Sequence, residues 1–193
     1  MRKLFFSICL MMMIIGCAHP LIITPELQSL KKTGNDYIKA KVGYYISPSD
    51  RENYVYSPGG GGDRIYYYPY KELEPALQKV LYNVFEDVVR LDLAITPEYL
   101  KANEINYAFL PEITTDSYSD GIFTWMPTSF TVNLSCKAFS QDGKLIWNRK
   151  YTGIGNATFS ESSKDFGLAA KRAGQQAFSE MLNDLANAKE FRR

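Results

Sequence analysis

The chain has 193 residues, 46% of them apolar and 22% charged, with a formal net charge of +1. This is one domain's length and an ordinary globular composition, enough to bury a core without staples. The even charge excludes attraction of nucleic acid by a strong basic field. Tyrosine, with 14 copies, is the one compositional excess.

In chain order, residues 1–16 read as a cleaved signal segment. Arg2 and Lys3 form a basic start, and a 12-residue run from Leu4 to Ile15 is apolar but for Ser7. That is too short for a spanning helix, which needs roughly 20 residues, and suits a signal-peptide core. The run closes on Ile14-Ile15-Gly16-Cys17, which resembles the lipobox of bacterial lipoproteins. The resemblance implies cleavage before Cys17 and a diacylglycerol on its thiol, a covalent lipid in place of a cofactor. Ala18-His19-Pro20 follow with no aspartate next to the cysteine, which in such lipoproteins implies the outer membrane and a periplasm-facing domain. Cleavage would remove Arg2 and Lys3 and leave the remainder at −1.

Residues 17–36, with Pro20, Pro25, Lys31, Lys32, Gly34 and Asn35, read as an acylated start and polar tether. A single domain is expected over residues 37–188, followed by a tail over 189–193. Its first strand is Tyr37 to Ile46. A loop crowded with Pro48, Asp50, Asn53, Pro58 and Gly59 to Gly62 leads to a short β-prone stretch, Arg64 to Tyr68, closed by Pro69. Leu73, Leu77, Val80, Leu81, Val84, Phe85, Val88 and Leu91 recur at three- and four-residue steps, which predicts one amphipathic helix with Pro75 in its first turn.

Ile105 to Thr114 predicts another strand, with Pro111 implying an edge or bulge. A turn from Thr115 to Gly121 and a bulky loop (Ile122, Phe123, Trp125, Met126) follow. Phe130 to Ala138 alternates cleanly as a half-buried strand, and Asp142-Gly143 supplies a tight hairpin to a returning strand, Lys144 to Asn156. Ser160 to Ser163 offer caps for a last helix running to about Ala188. Its inner face would be Phe166, Ala169, Ala170, Ala173, Ala177, Phe178, Met181 and Leu185, with the alanines and Gly174 allowing a close approach to the sheet. The expected fold is α+β, a two-layer sandwich of a mixed, mostly antiparallel sheet with two helices on one face. The first helix would link the first and third strands.

The body resembles small envelope lipoproteins with a fold like the amino-terminal domain of TolB, including YajG-like and transport-auxiliary lipoproteins. The residues concerned are Tyr70-Lys71-Glu72-Leu73-Glu74-Pro75-Ala76-Leu77, Tyr107-Ala108-Phe109-Leu110-Pro111-Glu112-Ile113, Asp142-Gly143-Lys144-Leu145-Ile146-Trp147 and Tyr151-Thr152-Gly153-Ile154-Gly155. The match spans about residues 37 to 186 as a pattern of elements. It implies a non-enzymatic accessory subunit of an envelope assembly, with Tyr44 to Tyr70 as a longer insert than in the simplest members.

Catalytic chemistry is thinly supplied. His19 is the only histidine and lies in the expected tether, which excludes histidine triads, His–metal clusters and histidine bases from the body. Cys136, alone in a strand pattern, reads as a buried apolar residue. Gly59 to Gly62 lacks the Gly-Lys-Ser/Thr ending of a phosphate loop, and Asp116 to Gly121 lacks the ligands of a calcium loop. No catalytic residue, metal site or cofactor is expected, and the chain reads as no enzyme.

The functional signal is aromatic. Tyr44, Tyr45, Tyr54, Tyr56, Tyr66, Tyr67, Tyr68 and Tyr70 place eight tyrosines within 27 residues. On a strand Tyr66 and Tyr68 share one face and Tyr67 takes the other, so only some can enter a core. Tyrosine joins a large apolar body to a polar tip and is enriched at interfaces. The expected contact residues are Tyr54, Tyr56, Tyr66, Tyr67, Tyr68, Phe123, Trp125 and Met126, with Cys17 as the lipidation site. The expected partners are the membrane, through the acyl chains on Cys17, and an envelope protein, with no nucleic acid. A glycan- or peptidoglycan-binding module and a self-assembling ring subunit are the alternatives.

Overall fold

A computed structural model describes residues 18–32, 37–58, 63–93, 95–120 and 126–192. The signal segment with Cys17, the glycine run 59–62, and Phe123 and Trp125 therefore lie outside the described residues. The fold is α+β, built on a five-stranded sheet and a smaller three-stranded one.

The main sheet holds β2 (Ile38–Tyr45), β5 (Phe85–Leu91), β6 (Tyr107–Tyr118), β7 (Ser129–Ser140) and β8 (Leu145–Asn156), in the order β5-β2-β6-β7-β8. Strand β2 runs parallel to both neighbours, whereas β6, β7 and β8 form an antiparallel meander. The Asp142-Gly143 hairpin joins β7 to β8, with Gly143 at φ +76°, a conformation that favours glycine. Strand β6 outruns β2, whose pairing with it stops at Phe109. Pro111 therefore falls where β7 is the strand neighbour, and two residues on, the Ile113 N–H is taken by the Tyr70 hydroxyl at 3.1 Å. Backbone N–H groups two apart on a strand point the same way, so the N–H that Pro111 lacks would have faced the side that β2 has left.

Helix α2 (Pro69–Val84) and the long helix α5 (Leu168–Asn187) share one face of this sheet. In α5 the seven inward positions from Ala169 to Leu185 are fully buried as expected, but Phe166 is 43% exposed, because the helix starts only at Leu168. Before it, the short helix α4 (Phe159–Ser162) takes the Thr158–Glu161 capping box. The close approach to the sheet is made by Gly153 and Gly155 of β8. A Cβ on Gly153 would stand 1.9 Å from the Ala173 carbonyl oxygen, and one on Gly155 would stand 1.9 Å from that of Ala169. Gly174 faces Leu73 and Pro25 instead of the sheet.

The single long helix expected from Leu73 to Leu91 is two elements. Helix α2 ends at Val84 and the chain turns directly into β5. Phe85, Val88 and Leu91 are buried at three-residue spacing, so the helical period continued by coincidence into an edge strand. The β-branched pair Val88-Val89 and pairing with β2 decide the conformation. Thus α2 leads to β5 and not to the third expected strand. Proline 69 takes the first helical position, which places Pro75 inside the helix. The carbonyl that loses its i+4 partner belongs to Lys71, an exposed residue where water can replace it. Helix α3 (Pro97–Ala102), capped by Thr96, covers the opposite face with a small cluster of Leu91, Leu100, Ile105 and Ala108. The remaining helix, α1 (Pro48–Glu52), is capped by Ser47.

Both expected ends of the domain move outward. Residues 18–32 are a strap built into the fold. β1 (Ala18–Pro20) pairs with β4 (Arg64–Tyr67), and Leu21, Ile23 and Leu30 are buried in the main core. At the other end Phe191 is 2% exposed, its ring 5.0 Å from Tyr107 and 5.4 Å from Phe85. The apolar side chains scattered among polar residues in these segments carry enough burial to bind them.

The glycine contacts give a test. Gly155→Ala should lower stability by more than ~3 kcal/mol, because backbone on both sides has no room to yield. Gly43→Ala meets only the end of the Leu91 side chain, and should cost about 1 kcal/mol. Urea denaturation of both variants checks the ranking, and equal effects would refute it.

Candidate functional site

The tyrosine-rich insert folds as the smaller sheet, ordered β1-β4-β3, where β3 is Val55–Pro58. β3 and β4 pair antiparallel, Tyr56 opposite Tyr66 and Val55 opposite Tyr67, while β1 adds in parallel with Pro20 opposite Tyr66. Period-two alternation then separates the tyrosines. Ile65 and Tyr67 face inward at 2% and 1% exposure. The Tyr67 ring lies 5.3 Å from Phe130, and its hydroxyl is 2.9 Å from Thr115 Oγ1. Tyr67 is therefore a core residue and not a contact residue. Burial pushes its phenol up. Met126 is also buried, which removes it from the expected contact surface.

The outer face carries the others. Tyr54 and Tyr56 are about half exposed and Tyr66 and Tyr68 partly so. Their rings touch in a chain: Tyr56–Tyr66 at 6.1 Å, Tyr54–Tyr56 at 5.1 Å and Tyr54–Tyr68 at 5.9 Å. Lys71 Nζ stands 5.4 Å from the Tyr68 ring centroid, within cation–π range. The strap extends this face. Leu21 and Ile23 are buried whereas Ile22 between them is 64% exposed, and the Leu21 N–H continues the ladder to the Tyr66 carbonyl at 2.9 Å. Ile22 and Lys71 were not singled out from sequence. The apolar run Leu21-Ile22-Ile23 was the available signal, set among prolines and polar residues that read as a tether.

Buried polar contacts fix this sheet and strap to the core. The Ile23 N–H donates to Glu72 Oε2 at 2.6 Å, and Thr24 Oγ1 donates to the Glu72 carbonyl at 2.9 Å. Burial pushes the Glu72 carboxyl up, and the Ile23 N–H opposes that. The Tyr44 hydroxyl donates to Glu74 Oε1 at 2.8 Å and accepts from the Gln78 amide, while Arg51 donates to the same Glu74 oxygen at 2.6 Å. Glu72 and Glu74 thus serve different contacts and form no carboxylate pair. His19 lies in β1, its Nε2 3.3 Å from Asp63 Oδ2. Cys136 is fully buried, and its burial pushes the thiol up and away from a reactive thiolate. Among the described residues no group of three or more His, Cys, Asp or Glu could hold a metal. No described helix is long and apolar enough to cross a membrane.

No family model matches the chain, and no curated protein does. Solved structures give distant likenesses. A Xanthomonas campestris protein of the family labelled DUF330 shares 12% identity over 88% of this chain and 91% of its own, at TM-score 0.48. A candidate lipoprotein of Caulobacter crescentus shares 11% over 59% and 77%, at 0.36. The PelC dodecamer of Paraburkholderia phytofirmans shares 17% over 76% and 94%, at 0.38. At such scores none of them bears on the function of this chain.

Burial raises the Tyr44 phenol from 10.0 to about 12, with the Glu74 carboxylate adding to the rise and the Gln78 hydrogen bond opposing it. The folded state therefore favours the neutral phenol. This contribution is complete below pH 10 and is lost as pH rises from 10 to 12. Tyr44→Phe should cost about 1–2 kcal/mol at neutral pH and make the alkaline loss of stability shallower across that window. Urea midpoints measured at pH 8, 10 and 11.5 decide it; an unchanged alkaline slope would show that Tyr44 does not contribute.

Proposed function

We propose that this chain is a lipid-anchored, non-catalytic accessory subunit of a cell-envelope assembly. It is acylated on Cys17, held at the periplasmic face of the outer membrane, and acts through its aromatic face. One observation carries the reading: an exposed, ring-to-ring tyrosine surface belongs to the sheet whose first residue, Ala18, directly follows Cys17. The basic start, short apolar run and Gly16-Cys17 junction support export and acylation. The sequence's resemblance to YajG-like lipoproteins supports an accessory role. Several acyl chains, each adding ~0.8 kcal/mol per buried CH₂, would make the attachment stable.

Phe123 and Trp125 remain candidates for a second contact loop beside the buried Met126. A separate surface, on the main sheet beside α3, is an apolar groove of about 380 Å³ lined by Tyr45, Ile95, Pro97, Leu110 and Phe139. Its size is in the range of small binding clefts.

Expression of the full chain with radiolabelled palmitate tests the anchoring. The wild type should take up label, lose residues 1–16 and fractionate with outer membranes. Cys17→Ser should take up none and keep its leader. A labelled Cys17→Ser protein, or a mature wild type with an unmodified start, would end this reading.

A further inference from the structure

The strap removes the spacer that an anchored domain ordinarily has. Twenty flexible residues would let a domain drift roughly 25 Å from its anchor. Here Ala18 is already hydrogen-bonded into β1, opposite Arg64. Adjacent Cα atoms are about 3.8 Å apart, so a lipid on Cys17 brings the end of the small sheet to headgroup depth. The next exposed row, Pro20 beside Tyr66 beside Tyr56, lies two residues further along the strands, about 7 Å away.

We propose that the outer face of the small sheet, with Ile22, Tyr54, Tyr56, Tyr66 and Tyr68, rests on the headgroup layer of the bilayer that holds the acyl chains. This deepens the proposed function by naming the bilayer, and not a protein subunit, as what the aromatic face meets, and it rests on the acylation of Cys17. The side chains present suit that boundary. Tyrosine rings place an apolar body at the interface and keep the hydroxyl in water. Ile22, at 64% exposure, adds an aliphatic anchor. Arg64 and Lys71, both exposed, stand beside the rings, where long cationic side chains reach anionic headgroups while their stems cover apolar surface. Leu21 and Ile23, buried on the other side of the same strap, hold the face rigid against the core. The acyl chains supply affinity and the aromatic face supplies orientation. The meander hairpin at Asp142-Gly143, at the opposite end of β7 from the small sheet, then projects away from the membrane.

Site-directed spin labelling of the mature acylated protein tests this. It uses vesicles of phosphatidylethanolamine and phosphatidylglycerol with no other protein present. Cys136 is buried and Cys17 is blocked by lipid, so a nitroxide goes only to an introduced thiol. Ile22→Cys and Tyr56→Cys place labels at two exposed positions of the face, and Lys144→Cys places one at the far hairpin. In vesicles, labels at 22 and 56 should become several-fold less accessible to a water-soluble nickel relaxant and more accessible to oxygen than the label at 144. Equal nickel accessibility at all three positions, in protein whose amino-terminal peptide carries the acyl mass, overturns the face-down orientation and leaves the anchoring intact. Protection at 22 and 56 that appears only when a partner protein is added overturns it in favour of a protein interface. An unmodified Cys17 overturns both readings together.

Discussion

The distance between helix α5 and strand β8 sets the geometry of the rest of the molecule. At Gly153 and Gly155 helix carbonyls occupy the space a Cβ would need, and on the helix side Ala169, Ala173 and Ala177 face the contact, with the Arg172 Cβ beside them. This brings backbone against backbone over two turns of the helix. Further along the helix, the larger Phe178, Met181 and Leu185 are buried in the same core as Trp147. A packed interior transmits such a constraint because it has little free volume to absorb a shift.

The start of the same helix positions the strap. Gly167, just before α5, lies so close to the Ile22 carbonyl that a side chain there would collide with it. Gly174, nearly two turns in, packs beside Leu73 and Pro25. The strap is therefore clamped between α5 and α2, with Glu72 receiving the Ile23 N–H. Because the strap carries β1, the clamp also holds one edge of the aromatic sheet. The chain thereby couples residue 18, next to the expected lipid, to the main core through direct contacts. The stretch from residue 18 to the core is thus packed and hydrogen-bonded along its length, unlike a polar tether.

The polar groups near the aromatic sheet serve architecture. Tyr44, Glu74, Gln78 and the Arg51 Nη2 group hydrogen-bond one another, and Tyr70 completes the ladder of β6 beyond the end of β2. Buried polar atoms joined this way make the fold specific at little net gain in stability. The outward tyrosines pack on one another and against Lys71 instead of entering the core.

Much of the fold was legible because its signals are local. The alternation from Phe130 to Ala138, the Asp142-Gly143 turn, the buried stripe of the last helix and the division of Tyr66 and Tyr68 from Tyr67 each follow from a period and a turn residue. What only the tertiary structure decided was where weak or ambiguous segments found partners. Phe85, Val88 and Leu91 satisfy a helix and a strand equally by spacing, and only pairing with β2 makes them β5. Leu21, Ile23 and Phe191 sit in polar surroundings that read as linker and tail, yet each fills a site prepared by residues far away in sequence. Gly153 and Gly155 carry no periodic signal, since a glycine's packing role lies in the neighbour that takes its missing side chain's place. Local chemistry writes the elements, and long-range burial decides how far the domain extends and which of its tyrosines remain outside.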